Sequence, residues 1–309
     1  MPISEAQLSF LKTAIQALLD REEEARKLEV KLPWNGLFVG LLNTDLAFEQ
    51  FDILDGFLRL RRVTNPPGIQ HVISKAIRKS SDYLGVARYS WAIGSEIAIN
   101  GAPEDNTSFF CSLAYHTAVL IKLRGPSTIL CPTSSSVSWD TVASRPDDSI
   151  SFVMLDDVPR LVQVSDQVRP VSLEDAEWIG NNFVAALDLR NHTRSRRFGL
   201  AFNLVYTCNH SADQRIALFN VWAGLEALFG IQNEQQPTKK LVARIVDWSS
   251  SLSRDMVHPL YSKRCDAVHG RWLDDKEISA ALRDSYDVLR FALIQCIDRR
   301  EQPLKDWSS

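Results

Sequence analysis

The sequence lacks the long apolar run that a membrane-spanning helix needs. No stretch approaches the ~18 consecutive apolar residues of such a helix, and the segment from Met1 to Glu5 lacks the basic start and apolar core of a signal peptide. The five cysteines are scattered without a Cys-x-x-Cys spacing, which disfavours a disulfide framework or a zinc site. We therefore expect a cytoplasmic protein with reduced thiols and no membrane association.

Motifs of several common enzyme classes are also missing. The segment Gly125-Pro126-Ser127-Thr128 lacks the lysine and the spacing of a phosphate-binding loop, and the chain has no Gly-x-Ser-x-Gly nucleophile elbow. His71 and His116 have no histidine, cysteine or carboxylate at metal-ligand spacing, so we interpret both as structural residues. The sequence predicts neither a metal nor another cofactor.

The chain carries little excess charge of either sign. Its 35 basic and 38 acidic residues leave a net charge of -3, which disfavours a protein that coats nucleic acid through bulk electrostatics. Contacts with phosphates must then depend on local clusters. Two clusters qualify, the first formed by Arg190, Arg194, Arg196 and Arg197 and the second by Lys239, Lys240 and Arg244. Both are also typical of solvated helix surfaces.

A change of pattern near residue 170 predicts two domains. Residues 1–170 begin with a predicted helix from Ser4 to about Leu28 and continue in short apolar segments broken by glycine, proline and asparagine. Strands are predicted over 57–63, 89–99, 128–131 and 150–155, helices over 69–77 and 109–123, and a loop over 132–136. Residues 171–309 show helical spacing without a strand pattern. We predict an α+β protein, an amino-terminal mixed domain for recognition or sensing followed by an antiparallel helical bundle.

Start and stop signals divide residues 171–309 into about six helices. Ser172, Ser211 and Ser253 each suit a helix start, and Asp274 with Glu277 forms a capping box before the last helix. Between residues 213 and 230, apolar side chains recur at three- and four-residue spacing, which predicts one buried face. These side chains are Ile216, Phe219, Val221, Trp222, Leu225, Leu228 and Phe229.

Arg264 and His269 are the most informative pair in the chain. Gly270 suits the left-handed residue just past a helix end, which places His269 in the last turn of the helix. The two side chains project about 140° apart on an ideal helix, and we expect fraying of that turn to let His269 swing toward Arg264. An arginine can hold phosphate with two parallel hydrogen bonds, and an imidazole can move a proton near neutral pH.

The surroundings of this pair resemble the Apea-like branch of the HEPN superfamily. The similar segments are Leu225-Glu226-Ala227-Leu228-Phe229-Gly230 and Leu260-Tyr261-x-x-Arg264-x-x-x-Val268-His269-Gly270, and the resemblance spans roughly residues 172–300. The family motif is an arginine followed by four to six residues and then a histidine. The resemblance implies a bundle that forms a homodimer, with the arginine and histidine of both protomers facing each other. Many members cleave RNA without a metal in toxin–antitoxin or antiviral systems, and others only bind.

The function that this resemblance implies is a metal-independent endoribonuclease, acting as a toxin or an antiviral effector. Arg264 and His269 are then the catalytic residues, and Asp266 and Glu226 support them. We expect RNA contacts from Lys263, Arg271, Lys239, Lys240 and Arg244. The implied partners are RNA, a second copy of the chain and an antitoxin or trigger protein.

Two alternatives remain open at this level. Glu226 either holds Arg264 in place or lies at the edge of the apolar stripe and reaches solvent, Arg215 or Arg244. The bundle is alternatively a non-catalytic module that binds RNA or a nucleotide or mediates dimerisation. Cys265 favours this second function, because active members often carry a small polar residue at that position.

Overall fold

The computed structural model describes most of the chain beyond its first segment. The described residues are 36–76, 83–100, 107–125, 128–145, 150–156, 161–164, 169–191, 196–230, 236–249, 251–271 and 274–303. The helix predicted to end near Leu28 lies outside them. No helix among the described residues is long and apolar enough to cross a membrane. An antiparallel sheet precedes a series of helices, so the predicted α+β class is confirmed.

The chain divides into two compact units. The first comprises residues 3–158 together with 169–181, and the second comprises residues 159–168 together with 182–309. The predicted boundary lies at residue 170, whereas the first half of the helix over Leu173–Asn191 groups with the first unit. The helices that follow belong to the second unit.

The first unit is built on a six-stranded antiparallel sheet within the described residues. Its strands are β1 (Gly36–Leu42), β2 (Gln50–Ile53), β3 (Leu58–Arg62), β4 (Ser95–Asn100), β5 (Leu130–Ser135) and β6 (Phe152–Met154). They are arranged in the order β2-β3-β4-β1-β5-β6. The helices that accompany the sheet in the described part of this unit are α1 (Ile69–Ala76), α2 (Tyr83–Ser90) and α3 (Thr107–Arg124). Helix α3 contacts β1, β4 and β5, which lie in the middle of the sheet.

The strand predictions were partly right in this unit. The segments 57–63 and 150–155 contain β3 and β6, but the segment 89–99 is wrong at its start because Tyr83–Ser90 is helical. The loop predicted over 132–136 is also wrong, because β5 continues to Ser135. Pro132 fits there because two residues of β5 oppose one of β1 between Leu130 and Thr133. Such a bulge is a position where sheets tolerate proline.

A buried carboxylate joins the sheet to the loop after β5. Glu96 of β4 is fully buried and accepts hydrogen bonds from Ser138 Oγ and the Trp139 backbone N–H, both at 2.9 Å. Burial raises the pKa of Glu96 above its ordinary value, and the Trp139 hydrogen bond and the nearby Arg61 oppose that increase. The indole of Trp139 in turn donates to the Phe38 carbonyl of β1 at 3.2 Å. We interpret this network as structural.

The second unit is a set of helices around one central apolar helix. The helices are α4 (Leu173–Asn191), which begins in the first unit, α5 (Arg197–Thr207), α6 (Gln214–Phe229), α7 (Pro237–Trp248), α8 (Arg254–Val268) and α9 (Asp275–Arg299). Helix α6 contacts α5, α7, α8 and α9. Its fully buried Trp222 donates an indole hydrogen bond to Ser285 of α9 at 3.0 Å. Gly224 lets the two helices approach, since a Cβ at that position would lie 3.0 Å from Leu289.

Helix caps explain where most of these helices begin. Ser253 accepts a hydrogen bond from the Met256 N–H before α8, and Asp274 with Glu277 forms a complete capping box before α9. The cap predicted at Ser211 is wrong, because Asp213 occupies the cap position of α6 and accepts from the Arg215 N–H at 2.7 Å. Ser211 instead accepts from the Asp213 N–H, which tightens the turn before the helix.

Candidate functional site

Helix α8 carries the Arg–His pair near its carboxyl end. It ends at Val268, and His269 occupies the capping position, with its backbone N–H bonded to the Cys265 carbonyl at 2.9 Å. Gly270 follows with a φ of 70°. This positive angle suits glycine, as the sequence predicts, and it turns the chain away from the helix axis.

Arg264 is fixed by three side chains around its guanidinium group. Its Nη2 lies 3.0 Å from Glu226 Oε1, and its Cζ lies 5.6 Å and 5.5 Å from the ring centres of Phe219 and Tyr261. Only 15% of the Arg264 side chain is exposed. Its Nε is buried and donates no hydrogen bond to any group in the described part of the chain. The guanidinium is therefore held in position but not fully satisfied.

Glu226 is the acidic residue that meets this guanidinium. It lies on α6, whose neighbouring positions Leu225 and Leu228 are buried. Burial raises the pKa of Glu226 above its ordinary value, and the positive charge of Arg264 opposes that increase. Of the two interpretations of Glu226 left open by the sequence, the structure shows the contact with Arg264.

Tyr261 connects the Arg264 environment to the core of the second unit. Its ring meets the Trp222 ring edge to face, with the centres 5.1 Å apart. Burial raises the pKa of the Tyr261 hydroxyl, and a hydrogen bond with Thr238 opposes that increase. Because Trp222 is itself bonded to Ser285, side chains from α6, α7, α8 and α9 all contribute to the position of Arg264.

His269 lies in a different environment from Arg264. Its residue is exposed, whereas Arg264 is half-buried. Within the described residues no hydrogen bond, ion pair or ring contact involves the His269 imidazole. The structure thus joins Arg264 to Glu226 and leaves His269 accessible to a second molecule.

The position of Asp266 differs from the predicted one. Its carboxylate lies 2.8 Å from Arg271 Nη1, and the Arg271 backbone N–H donates to the Asp266 carbonyl at 2.9 Å. The turn at Gly270 brings Arg271 back toward the helix end, so Asp266 meets that side chain rather than Arg264 or His269. Among the described residues, the Asp266 carboxylate therefore pairs with Arg271 and with neither Arg264 nor His269.

The residues predicted to bind RNA differ in their exposure and in the contacts that they make. Arg271 remains 75% exposed in spite of its ion pair with Asp266. Lys263 is half-buried on α8. Arg244 donates hydrogen bonds to the carbonyls of Phe229 and Gly230 at 2.9 and 3.2 Å, so it stabilises the end of α6.

Lys239 and Lys240 are exposed in the first turn of α7. That turn contains no acidic residue, and positive side chains at a helix amino terminus oppose the helix dipole. These lysines therefore interact unfavourably with the dipole of α7. Their placement suits contact with an external anion.

The exposure of three apolar side chains on α6 and α8 was not predicted. Sequence spacing assigns Ile216 and Phe219 to the buried face of α6, but they are 53% and 43% exposed. Val268, next to His269, is 46% exposed. The ring contacts of Arg264 with Phe219 and Tyr261 were missed as well. The spacing of Tyr261 three residues before Arg264 is the sequence signal for the second contact.

The described residues contain no group of three or more histidine, cysteine, aspartate or glutamate side chains that could hold a metal ion. The five cysteines are free thiols.

The two units define an α+β protein with an arginine-centred candidate site in its helical unit. No protein-family model matches the chain, and neither a curated protein nor a solved structure matches it.

Proposed function

We propose that the chain is a metal-independent endoribonuclease of the HEPN type, acting in the cytoplasm as a homodimer. The observation that carries this proposal is the fixed guanidinium of Arg264, with the accessible imidazole of His269 at the end of the same helix. Asp266 is left out of this site, because its carboxylate is bound to Arg271.

The proposed reaction uses the ribose 2'-hydroxyl as the nucleophile. His269 accepts the proton of that hydroxyl while its oxygen attacks the adjacent phosphorus. Arg264 neutralises the negative charge that grows on the phosphoryl oxygens. The bond from phosphorus to the 5'-oxygen breaks, and the histidine of the second protomer donates a proton to the leaving oxygen. The products carry a 2',3'-cyclic phosphate and a 5'-hydroxyl, and DNA, which lacks the 2'-hydroxyl, is not cleaved.

Dimerisation is supported by exposed apolar side chains on α6 and α8, the helices that carry Glu226 and Arg264. Phe219, whose ring contacts Arg264, is 43% exposed in the single chain, and Ile216 of the same helix and Val268 of α8 are also more than two-fifths exposed. A second copy covering them would exclude water from Arg264. It would also bring a second His269 to the site. Glu226, in this assembly, keeps the guanidinium in position for phosphate.

RNA is the proposed substrate, and four cations of the second unit are the proposed contacts to its backbone. Lys239, Lys240, Lys263 and Arg271 fit this role better than Arg244, whose guanidinium caps α6. We further propose that the first unit recognises a trigger or an antitoxin, and that the nuclease serves as a toxin or an antiviral effector.

One observation favours a different function. The carboxylate of Glu226 already neutralises Arg264, as a purely structural ion pair would. The alternative is a non-catalytic module that binds RNA or a nucleotide, or only dimerises, through the same surface.

Cleavage of RNA in the presence of a chelator tests the proposal. We expect product formation to persist with chelator and to fall at least about 100-fold in His269→Ala. His258→Ala is the matched control, because His258 is another exposed histidine on α8 and we expect the substitution to leave activity unchanged. Loss of cleavage on chelation, or full activity of His269→Ala, would remove this mechanism. Tight RNA binding without any product, indifferent to His269→Ala, would select the non-catalytic module.

A further inference from the structure

Cys265 and His269 lie one helical turn apart at the carboxyl end of α8. Their backbones are joined by the hydrogen bond that the His269 N–H donates to the Cys265 carbonyl at 2.9 Å, so the last turn keeps α-helical spacing. Side chains four residues apart on a helix are neighbours, with their Cβ atoms about 5–6 Å apart. The thiol and the imidazole therefore project from the same side of the helix end.

Both side chains are accessible to a ligand. The imidazole of His269 is exposed, and Cys265 is a half-buried free thiol. Within the described residues neither side chain makes a hydrogen bond or an ion pair. Space is available at the helix end, because a Cβ at Gly270 would meet nothing within 4 Å. A ligand can thus reach both groups without displacing a hydrogen bond that the structure describes.

The charge around this pair suits a cation. The carboxyl end of a helix carries partial negative charge, and the last turn of α8, which is described in full, contains no basic side chain. Arg264 and Arg271 are each paired with a carboxylate, so their positive charges are offset. Lys263 precedes Cys265 by two residues, about 200° around the helix, and projects from nearly the opposite side.

A thiolate and an imidazole together favour a divalent d-block ion. Zn²⁺ binds cysteine sulfur at about 2.3 Å and histidine nitrogen at about 2.0–2.1 Å, and it usually takes four ligands. Magnesium and calcium prefer oxygen ligands and do not fit this pair. One chain supplies two ligands, in agreement with the described residues, which hold no group of three, and water completes the coordination. On binding, the thiol releases its proton, and the sulfur and one imidazole nitrogen each donate an electron pair to the metal.

The other cysteines are less suited to binding a metal ion. Cys131, Cys208 and Cys296 are buried. Burial raises the pKa of the Cys111 thiol to about 11, so little of its thiolate forms near neutral pH. Cys265 is therefore the thiol best placed to bind such an ion.

We propose that Cys265 and His269 bind a divalent d-block ion, Zn²⁺ being the expected one, and that the bound ion inhibits the site. The binding follows from the helix geometry and depends on no reaction. The inhibition rests on the proposed function. A neutral imidazole has one nitrogen that can accept a proton, and when the metal occupies it, His269 cannot take the proton of the ribose hydroxyl. The ion is an inhibitor rather than a cofactor.

Titration of the full chain with Co²⁺, followed by absorbance, tests the binding. Co²⁺ is the probe because a thiolate bound to it gives a charge-transfer band, which Zn²⁺ then removes by displacing the cobalt. We expect this band in the wild type and its loss in Cys265→Ser. A chromogenic chelator measures Zn²⁺ affinity by competition. Loss of a group that only orients a metal ligand costs about 10–100-fold in affinity, so Cys265→Ser and His269→Ala should each weaken Zn²⁺ binding at least about tenfold.

His258→Ala and Cys111→Ser are the matched controls. His258 is exposed on the same helix but lies about 10 Å along its axis from Cys265, and Cys111 is the other half-buried thiol. Both controls are expected to keep the wild-type affinity for Zn²⁺. Circular dichroism shows whether each variant is folded, and either ligand variant remains informative if the other fails to fold.

The proposal is overturned if the wild type gives no thiolate band, if neither ligand variant weakens Zn²⁺ binding, or if both controls weaken it as much. In an RNA cleavage assay, Zn²⁺ should inhibit the wild type at concentrations that Cys265→Ser resists, each compared with its own zinc-free rate. Equal sensitivity of the two would overturn the inhibition. If the wild type cleaves no RNA, the proposed function fails, whereas the cobalt band still decides the metal site.

Discussion

Glu226→Gln is expected to cost less stability than Arg264→Gln, although both substitutions break the same ion pair. In Glu226→Gln the remaining guanidinium keeps its ring contacts with Phe219 and Tyr261. In Arg264→Gln those contacts are lost, and the carboxylate of Glu226 stays 70% buried without its cation. Burial already raises the pKa of Glu226 in the intact pair. An unpaired Glu226 carboxylate should therefore lower stability more than an unpaired Arg264 guanidinium does.

The magnitudes follow from the geometry of the pair. At the observed 3.0 Å separation, the attraction is about 5 kcal/mol for an effective dielectric constant of about 20, before the cost of burial is subtracted. Because both side chains retain some exposure, we expect a net coupling of about 1–2 kcal/mol. Glu226→Gln should cost about 0–1 kcal/mol and Arg264→Gln about 2–3 kcal/mol, the larger figure including the lost ring contacts.

The raised pKa of Glu226 also predicts how the free energy of unfolding changes with pH. Since the pKa of Glu226 is raised in the folded chain, the folded chain binds its proton more tightly than the unfolded chain does. The free energy of unfolding therefore falls as pH rises from the ordinary value of 4.5 through the raised one. Gln at this position removes that dependence, so the cost of Glu226→Gln should be smaller at pH 7 than at pH 4.

Urea denaturation of the wild type, both single variants and the double variant measures the coupling directly. The reasoning is refuted if the coupling is zero within error, or if Glu226→Gln proves the more destabilising change. A cost of Glu226→Gln that grows with pH would refute the assigned direction of the pKa.

Three further predictions concern other parts of the structure. Ser285→Ala leaves the buried Trp222 N–H without its acceptor and should lower the free energy of unfolding by about 1–3 kcal/mol, whereas exposed Ser262→Ala should have almost no effect in the same urea titration. Gly270→Ala should lower the free energy of unfolding by about 1 kcal/mol. The cause is the positive φ alone, because the added Cβ meets nothing within 4 Å. An unchanged urea midpoint would argue against this backbone angle. Because burial raises the pKa of Glu96, the stability of the wild type should fall as pH rises above 4.5, and Glu96→Gln should lack this fall. Thermal melting from pH 4 to 8 measures the difference, with the exposed Glu49→Gln as control.

Local signals predicted much of the helical unit. The capping box at Asp274, the cap at Ser253 and the positive φ of Gly270 are encoded within a few residues, and each occurs where the sequence places it. The sheet was harder to predict because pairing joins distant residues. Strand β1 is buried from Leu37 to Leu42 and shows no alternation, and the proline in β5 is accommodated only through its bulge against β1.

The residues of the candidate site were predicted from local signals, but the contacts between them were not. Arg264, His269 and Glu226 stand out in the sequence by residue type and spacing. Which of them meet depends on how α6 packs against α8, and spacing alone does not decide it. The ion pair of Asp266 with Arg271 depends on the turn at Gly270, whose direction the sequence signals but whose contacts it does not.

The glycine at position 224 places a constraint on any relative of this chain. Its missing side chain sets how closely α6 lies against Leu289, and Glu226 follows only two residues later on the same helix. A larger residue at 224 would move the carboxylate away from Arg264 even if every functional side chain were retained. Chains that share this site are therefore expected to keep a small residue where α6 crosses α9.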